Sequence, residues 1–449
     1  MCQKLKVQMF NRKKIFSGII VDYVGSTIAV IVGFIVVPYY FDYITEIEFG
    51  VWLVVSGVVA LFSMADLGTD QYLTTVTSNN DKFYGDVYAD YISSILFIKT
   101  IVAIVITSIA VTTYLFLTSI VDIDIAYQEV AKFTFILSSS MLVLGIFFST
   151  VSTMLYARHH YSLINSFVSV FSVTTSLGTV FLLSLDFGVA SFPLALLSSA
   201  SVQYSILFIY LLKKYPNIKL KIRGFRFIDK KEIIGYTTSF QVLKWVHTLR
   251  VQYIKIAINN LIGPVYLTQY NLTNKLPQMI PQYTIKIVLP FFPTISDLFH
   301  KKDFNGVTRI LIKITKILSR VAILSGLLVF MMNESFVTLW VGSDMFAGSW
   351  VVLWMIVYMI GHMALGFFGI IIFSSKNFEK WIQWSIIEII SAVLLSYVLN
   401  IWFSFSGIVA GFVLASLPNQ YYLFHIVLKQ LAIKKSDFKK YKEIESHID

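Results

Sequence analysis

The sequence predicts an all-α polytopic membrane protein with about twelve transmembrane helices in two blocks of six. Hydrophobic residues make up 57% of the 449 residues and charged residues only 14%, whereas a soluble domain carries about 25% charge. Apolar stretches of roughly 20 residues, enough to cross a ~30 Å hydrocarbon layer, recur from end to end. Lys and Arg collect in alternate connections between these stretches, as in proteins that cross a membrane repeatedly.

The apolar stretches set the order of the predicted helices. Several of them are longer than the bilayer is thick, so these helices must tilt or extend into water. We expect spans near 17–40, 49–78, 89–118, 129–157, 160–184, 188–212, 232–259, 263–296, 304–332, 346–374, 378–402 and 404–430.

The connections between spans predict the orientation of the chain. The odd-numbered connections contain no Lys or Arg, and the basic residues concentrate in 213–231 and in the tail. Since cytoplasmic loops carry the excess of Lys and Arg, both termini are expected in the cytoplasm. The basic start precedes a full-length span without a cleavage signature and is expected to be retained. The acids of the outward connections are Asp42, Glu46, Glu48, Asp122, Asp124, Asp186, Glu334 and Asp344.

The basic stretch 213–231 divides the chain near its middle. It separates an N-terminal lobe at 1–212, holding helices one to six, from a C-terminal lobe at 232–430, holding helices seven to twelve. A basic tail follows at 431–449. Because six is even, both lobes share one orientation, which fits two repeats related by an axis along the membrane normal.

Motifs for most enzyme and metal chemistry are absent from the sequence. Cys2 is the only cysteine, and there is no phosphate-binding P-loop. His159 and His160 are adjacent and cannot face one metal ion from the same side of a helix. We therefore expect no metal, no cofactor and no nucleic-acid partner. Asp122 and Asp124 form the D-x-D pattern of metal-dependent glycosyltransferases, but in a short outer loop. The enzyme alternative, a membrane polymerase or glycosyltransferase, is thus less favoured.

Cations inside the seventh and eighth spans are the first candidates for a functional site. An ionisable group within a span costs roughly 2.5–3.5 kcal/mol, so its presence calls for a role. Lys244 and Arg250 lie within ~8 Å of the middle of span seven, at 1.5 Å per residue. Lys275 lies at a similar depth in span eight. Either these cations line a cavity for an anionic substrate, or they pair with acids on neighbouring spans. Lys255 is near the outer end, where a lysine can snorkel to the interface.

Further charges within the spans extend this list. Arg320 in span nine is a fourth candidate substrate-binding cation. The acids Asp22, Asp66, Asp70 and Glu388 could pair with a buried cation or carry a transported proton or Na⁺. We select Asp22, Asp66 and Glu388 as candidates for ion coupling or gating.

Span eight holds five of the nine prolines of the chain. Each interior proline removes a backbone hydrogen bond and kinks the helix. Such breaks persist in a membrane where they line an enclosed or watery cavity. We expect a bend within 277–293. A cavity with more basic than acidic groups suits an anionic substrate, whereas an exporter of organic cations would show the reverse.

Two segments resemble those of a known transporter family. In 41–68, Phe49-Gly50-Val51-Trp52 opens a helix and Asp66-Leu67-Gly68 comes toward its end; in 262–297, glycine, tyrosine and asparagine precede a proline-containing close. Both resemble polysaccharide flippases of the O-antigen (Wzx) type, within the multidrug/oligosaccharidyl-lipid/polysaccharide exporter superfamily. Length and span count agree over nearly the whole chain.

The resemblance implies two six-helix lobes around a central cavity lined mainly by helices one, two, seven and eight. It implies a flippase that turns an undecaprenyl-pyrophosphate-linked oligosaccharide from the inner to the outer leaflet of the bacterial cytoplasmic membrane. The bilayer, this lipid-linked substrate and other membrane proteins of polysaccharide assembly are the partners expected on that basis. The alternative within the superfamily is a cation-coupled exporter of drugs or other small molecules.

Overall fold

The computed structural model describes residues 2–65, 68–78, 86–216, 218, 230–288, 291–375 and 379–431, and within them it contains helices and no strand. Eight of the predicted spans each form a single helix, whereas the second and the eighth are divided and the last two are joined in one element. The α-helices are α1 (Cys2–Tyr40), α2 (Glu46–Phe62), α3 (Thr69–Ser78), α4 (Asp86–Ile120), α5 (Gln128–Ala157), α6 (Tyr161–Leu183), α7 (Ser191–Lys214), α8 (Lys230–Ile262), α9 (Pro264–Thr273), α10 (Lys275–Val288), α11 (Phe292–His300), α12 (Phe304–Val341), α13 (Ser349–Ser375) and α14 (Glu379–Gln430).

The protein is a multi-pass membrane protein. Nine helices in the part of the chain that the structure describes are long and apolar enough to cross a membrane. Their outer faces carry the exposed apolar side chains that a hydrocarbon environment requires, such as Ile28, Leu115 and Leu324. The total of twelve crossings stays a prediction.

The second predicted span is two helices rather than one. A capping box starts α2, since the Thr45 hydroxyl accepts from the Glu48 amide and the Glu48 carboxylate accepts from the Thr45 amide. A short 3-10 turn follows at Ser63–Ala65. Gly68 then has φ +68, a left-handed conformation that cannot continue a helix, and α3 begins after it.

The eighth predicted span is interrupted, as the prolines led us to expect. Helices α9, α10 and α11 divide it, with Pro281 inside α10. The region begins after Gly263, whose φ of +105 is readily adopted by glycine but strained for other residues. Lys255 and Lys275 would be about 30 Å apart on one continuous helix. The break at Gly263 ends α8, so the two lysines lie on separate helices, α8 and α10.

Helix α14 is a hairpin of two antiparallel segments. Ser404 has non-helical angles, φ 47 and ψ −127, and marks the turn between predicted spans eleven and twelve. The Ser396 hydroxyl donates to the carbonyl of Ile408 at 3.0 Å. A Cβ on Gly411 would collide with the backbone of Ser396. The two segments therefore approach each other at backbone distance, which small residues permit in membrane helices.

The chain forms two compact units, which we call unit 1 (Met1–Thr248) and unit 2 (Leu249–Asp449). Unit 1 has a core of Leu73, Tyr88, Met154, Leu155 and neighbouring apolar residues. Unit 2 has a core around Phe367, Ile371, Leu423 and Val427. The predicted linker at 213–231 and tail at 431–449 fall mostly outside the described residues, so these domain limits stay predictions.

Candidate functional site

A cavity of about 420 Å³ lies within unit 1. Helices α2, α4, α5 and α7 supply most of its wall, and apolar side chains such as Ile106, Met141 and Leu142 predominate. Such a volume and a mainly apolar lining are typical of small-molecule sites. The polar and charged groups that interrupt this lining are Ser56, Ser63, Asp70, Ser138, Ser149 and Lys244.

A buried lysine holds the acid of this cavity in place. Lys99 on α4 is 2% exposed, and its Nζ lies 2.6 Å from Oδ1 of Asp70. The same ammonium donates to Oγ of Ser149 on α5 at 2.6 Å. Asp70 and Ser149 line the cavity, whereas Lys99 is not itself a lining residue. Asp70 is in the first turn of α3, where the helix dipole favours a carboxylate.

The sequence candidates of unit 1 are placed differently from one another. Lys244 on α8 is exposed and lines the cavity. Asp22 is on α1, where its Oδ1 accepts from the hydroxyl of Ser26 at 3.5 Å. Asp66 lies outside the described residues.

An ion pair in unit 2 joins two of the sequence candidates. Nη1 of Arg250 on α8 lies 3.2 Å from Oε1 of Glu388 on α14. Both are deeply buried, with 8% of Arg250 and 3% of Glu388 exposed. The guanidinium also lies over the ring of Tyr358 on α13, 5.8 Å from its centroid.

Two polar side chains complete the surroundings of this pair. Nδ2 of Asn419 donates to the second oxygen of Glu388 at 2.6 Å and to Oγ of Ser385 at 3.1 Å. Asn419 and Glu388 lie on opposite sides of the α14 hairpin. The turn at Ser404 therefore brings together groups that are 31 residues apart in sequence.

The structure places Arg250 in an ion pair, the arrangement left open as the alternative to substrate binding. We expected it to bind the phosphate of a substrate, with an ion pair to a neighbouring acid as the alternative. The guanidinium forms that alternative pair, and a buried charge that is already matched has less to offer a second anion. The geometry therefore favours a structural or gating role for Arg250 through Glu388.

Lys255 and Lys275 form a pair of like charges in unit 2. Lys275 starts α10, and Lys255 lies in α8 on the other side of the break at Gly263. Both side chains are half-buried, so Lys255 is not a fully exposed interfacial lysine as its position suggested. Neither has a carboxylate within ion-pair distance among the described residues. Two half-buried ammonium groups without a paired acid among the described residues are suited to a polyanion.

Arg320 is not part of this pair. It is exposed on α12 and has no ion-pair partner in the portion of unit 2 that the structure describes. The same portion of the chain holds no group of three or more His, Cys, Asp or Glu residues that could bind a metal ion.

The sequence does not reveal the part that three residues play in these sites. Lys99 is a single lysine within the apolar third span, a signal that could have been followed. Asn419 was hidden among the polar residues near the end of the last span. The position of Lys255 near the outer end of its span predicts a lysine at the membrane interface. Depth along a helix does not reveal which of its faces a neighbouring helix covers.

Comparison with known protein families gives one match for this chain. A profile of the family described as "Polysaccharide biosynthesis protein" matches residues 15–299. No curated protein sequence matches the chain.

Solved structures share its fold at low identity. The lipid II flippase MurJ in an inward closed conformation superposes with a TM-score of 0.69 and 13% identity, over 94% of this chain and 89% of that one. An outward-facing multidrug resistance MATE transporter of the MOP superfamily gives 0.64 and 13%, over 94% and 96%. The Vibrio cholerae MATE transporter VcmN gives 0.62 and 11%, over 95% and 98%. These likenesses are to transporters and flippases, not to enzymes. With its fold that of MOP-superfamily transporters and its first 299 residues largely covered by the family profile, the chain belongs to the polysaccharide biosynthesis protein family.

Proposed function

We propose that this protein is a flippase for an undecaprenyl-pyrophosphate-linked oligosaccharide, the repeat unit of an O-antigen or a similar surface polysaccharide. Lys255 and Lys275 carry this proposal, because both are half-buried cations of unit 2 with no carboxylate within ion-pair distance among the described residues. A pyrophosphate presents several oxygens and more than one negative charge, and two ammonium groups match it. Membership in the polysaccharide biosynthesis family supports the oligosaccharide part of the substrate.

Lys244 is the proposed partner of this pair during passage. It lines the cavity of unit 1, so a head group that enters there meets a cation. Several weak cationic contacts in series let an anion leave again, whereas one tight site would retain it. Alternating access across the bacterial cytoplasmic membrane, with both termini in the cytoplasm, completes the proposal.

Ion coupling is a second part of the proposal. Asp22, Asp66 and Glu388 are scarce acids within apolar spans, which is why we assign them to proton or Na⁺ coupling or to gating. For Glu388 the ion pair with Arg250 supports a gate, because opening of the pair would expose two charges at once. Amide variants that kept normal transport and unchanged gradient dependence would contradict this assignment.

Complementation of a deletion strain tests the main proposal. We expect loss of the gene to cause accumulation of lipid-linked oligosaccharide and loss of surface polysaccharide. Lys255→Gln/Lys275→Gln should fail to restore transport although it is inserted, since both charges of the proposed phosphate site are gone. Lys313→Gln is the control. Lys313 is exposed on α12, so this variant should behave as wild type. Normal complementation by the double variant would remove the pair from the transport path.

The cavity of unit 1 favours a second candidate function. Its mainly apolar lining would also accept an amphipathic small molecule, as an exporter requires. In that case the deletion strain would show changed drug susceptibility with no accumulated precursor.

A further inference from the structure

We infer that Lys99 determines the charge preference of the unit 1 cavity, by neutralising Asp70 so that the cavity does not accept organic cations. The inference deepens the proposed function, on which it rests only for the identity of the natural anionic ligand. It begins with the composition of the cavity wall. Among the lining residues that the structure describes, Asp70 is the one acid, set in a mainly apolar surface. A carboxylate in such a surface would ordinarily attract a lipophilic cation.

The position of Lys99 changes this expectation. Its ammonium is 2.6 Å from the Asp70 carboxylate, and Lys99 is not itself a lining residue of the cavity. A cation that approached Asp70 would also meet the positive charge of Lys99, 2.6 Å from that carboxylate, which weakens the net attraction. An anion would not be repelled by Asp70, and Lys244 on the wall would add attraction.

Stability alone gives no reason for a lysine at this position. A buried ion pair often contributes no more than a well-packed neutral pair, because both groups lose their hydration. Lys99 is 2% exposed, and most of its hydrogen-bonding capacity goes to Asp70 and Ser149. An uncharged donor could satisfy one oxygen of Asp70 without desolvating an ammonium. What the lysine adds is a positive charge beside Asp70, the one acid among the described residues of the wall.

Two hydrophobic ions of equal size and opposite charge test the inference. Tetraphenylphosphonium and tetraphenylborate are titrated by equilibrium dialysis against the purified full-length protein in nanodiscs, after subtraction of binding to empty nanodiscs. Lys99→Met leaves Asp70 without its partner, and we expect the ratio of cation to anion affinity to rise about tenfold or more relative to wild type. Asp70→Asn leaves Lys99 unmatched and should lower the same ratio.

The double variant Lys99→Met/Asp70→Asn restores electrical balance and should return the ratio to that of wild type. It also covers the case in which Lys99→Met alone fails to fold, since the double variant buries no unpaired charge. Lys132→Met is the matched control, because Lys132 is paired with Glu129 and does not line the cavity. It should leave the ratio unchanged.

An unchanged ratio in both folded single variants would overturn the inference. The readout is binding of simple ions and needs no lipid-linked substrate. A normal polysaccharide phenotype in the deletion strain would therefore contradict the proposed flippase function without affecting the ion-binding result. An unchanged affinity ratio would contradict the role of Lys99 without affecting the proposed flippase function.

Discussion

At the residue scale, the arrangement around Glu388 explains how two ionised groups are tolerated deep in unit 2. The carboxylate uses one oxygen for Arg250 and the other for Asn419, and the guanidinium also lies against Tyr358. Each charge therefore has a partner where water is scarce. The remaining cation pair, Lys255 and Lys275, lacks this compensation among the described residues. That contrast separates the matched charges from those suited to a ligand.

Removal of one partner of the Arg250–Glu388 pair tests its structural role. Arg250→Met leaves a buried carboxylate without its cation, and we expect a loss of about 3–5 kcal/mol in the free energy of unfolding. Arg250→Met/Glu388→Met removes both charges and should recover most of that loss. Thermal unfolding in detergent, followed by tryptophan fluorescence, gives the comparison.

Arg320→Met provides the control for this series, since Arg320 is exposed on α12 and its loss should shift the melting temperature little. A double variant as unstable as the single variant would show that the two residues are not coupled. A stable double variant that still transports would exclude Arg250 as a required substrate ligand.

At the element scale, the breaks in the helices bring the polar groups together. The turn at Ser404 folds α14 back on itself and places Asn419 beside Glu388. Gly263 ends α8, so that Lys255 and Lys275 lie on separate helices. Uninterrupted helices would leave these groups tens of ångströms apart.

Close packing within the α14 hairpin depends on its glycines. A Cβ at position 411 would collide with the backbone of Ser396, so Gly411→Ala forces the two segments apart. We expect this change to cost about 1–3 kcal/mol, as overpacking does elsewhere. Gly33→Ala is the control, because the space around Gly33 in α1 is open and alanine favours a helix.

Melting temperatures in detergent show whether the two glycine variants differ in stability. The Gly411 variant should melt below wild type, and the Gly33 variant at or above it. Equal melting temperatures for the two variants would show that the hairpin tolerates separation.

At the scale of the whole molecule, the distribution of charge predicts how the chain crosses the membrane. The connection after α4 contains acids and no Lys or Arg, whereas α7 ends in Lys213 and Lys214. Positively charged segments remain in the cytoplasm. We therefore expect the end of α7 inside and the connection after α4 outside.

Single cysteines introduced into a Cys2→Ser background test this orientation. Ile125 is 83% exposed, so the cysteine of Ile125→Cys should react with an impermeant maleimide in intact cells. Lys214→Cys is also exposed and should react only after the cells are permeabilised. The opposite pattern would invert the predicted topology.

The sequence by itself determined the fold class and the family of this protein. A span needs about 20 apolar residues whatever its neighbours are, so composition and length reveal membrane helices without a structure. Proline content located the interrupted eighth span for a similar reason, because a proline disrupts its own helix locally. The break between α2 and α3 was missed, since one glycine in an apolar stretch gives little warning.

Only the tertiary structure decided which charges meet. Arg250 and Glu388 are 138 residues apart, and Lys99 and Asp70 are 29 apart. Whether such groups touch depends on the rotation and the register of the helices that carry them, and apolar patterning leaves both open. The sequence could therefore show that charges lie within the spans of this protein, whereas the packing of its helices determined which of them meet an opposite charge.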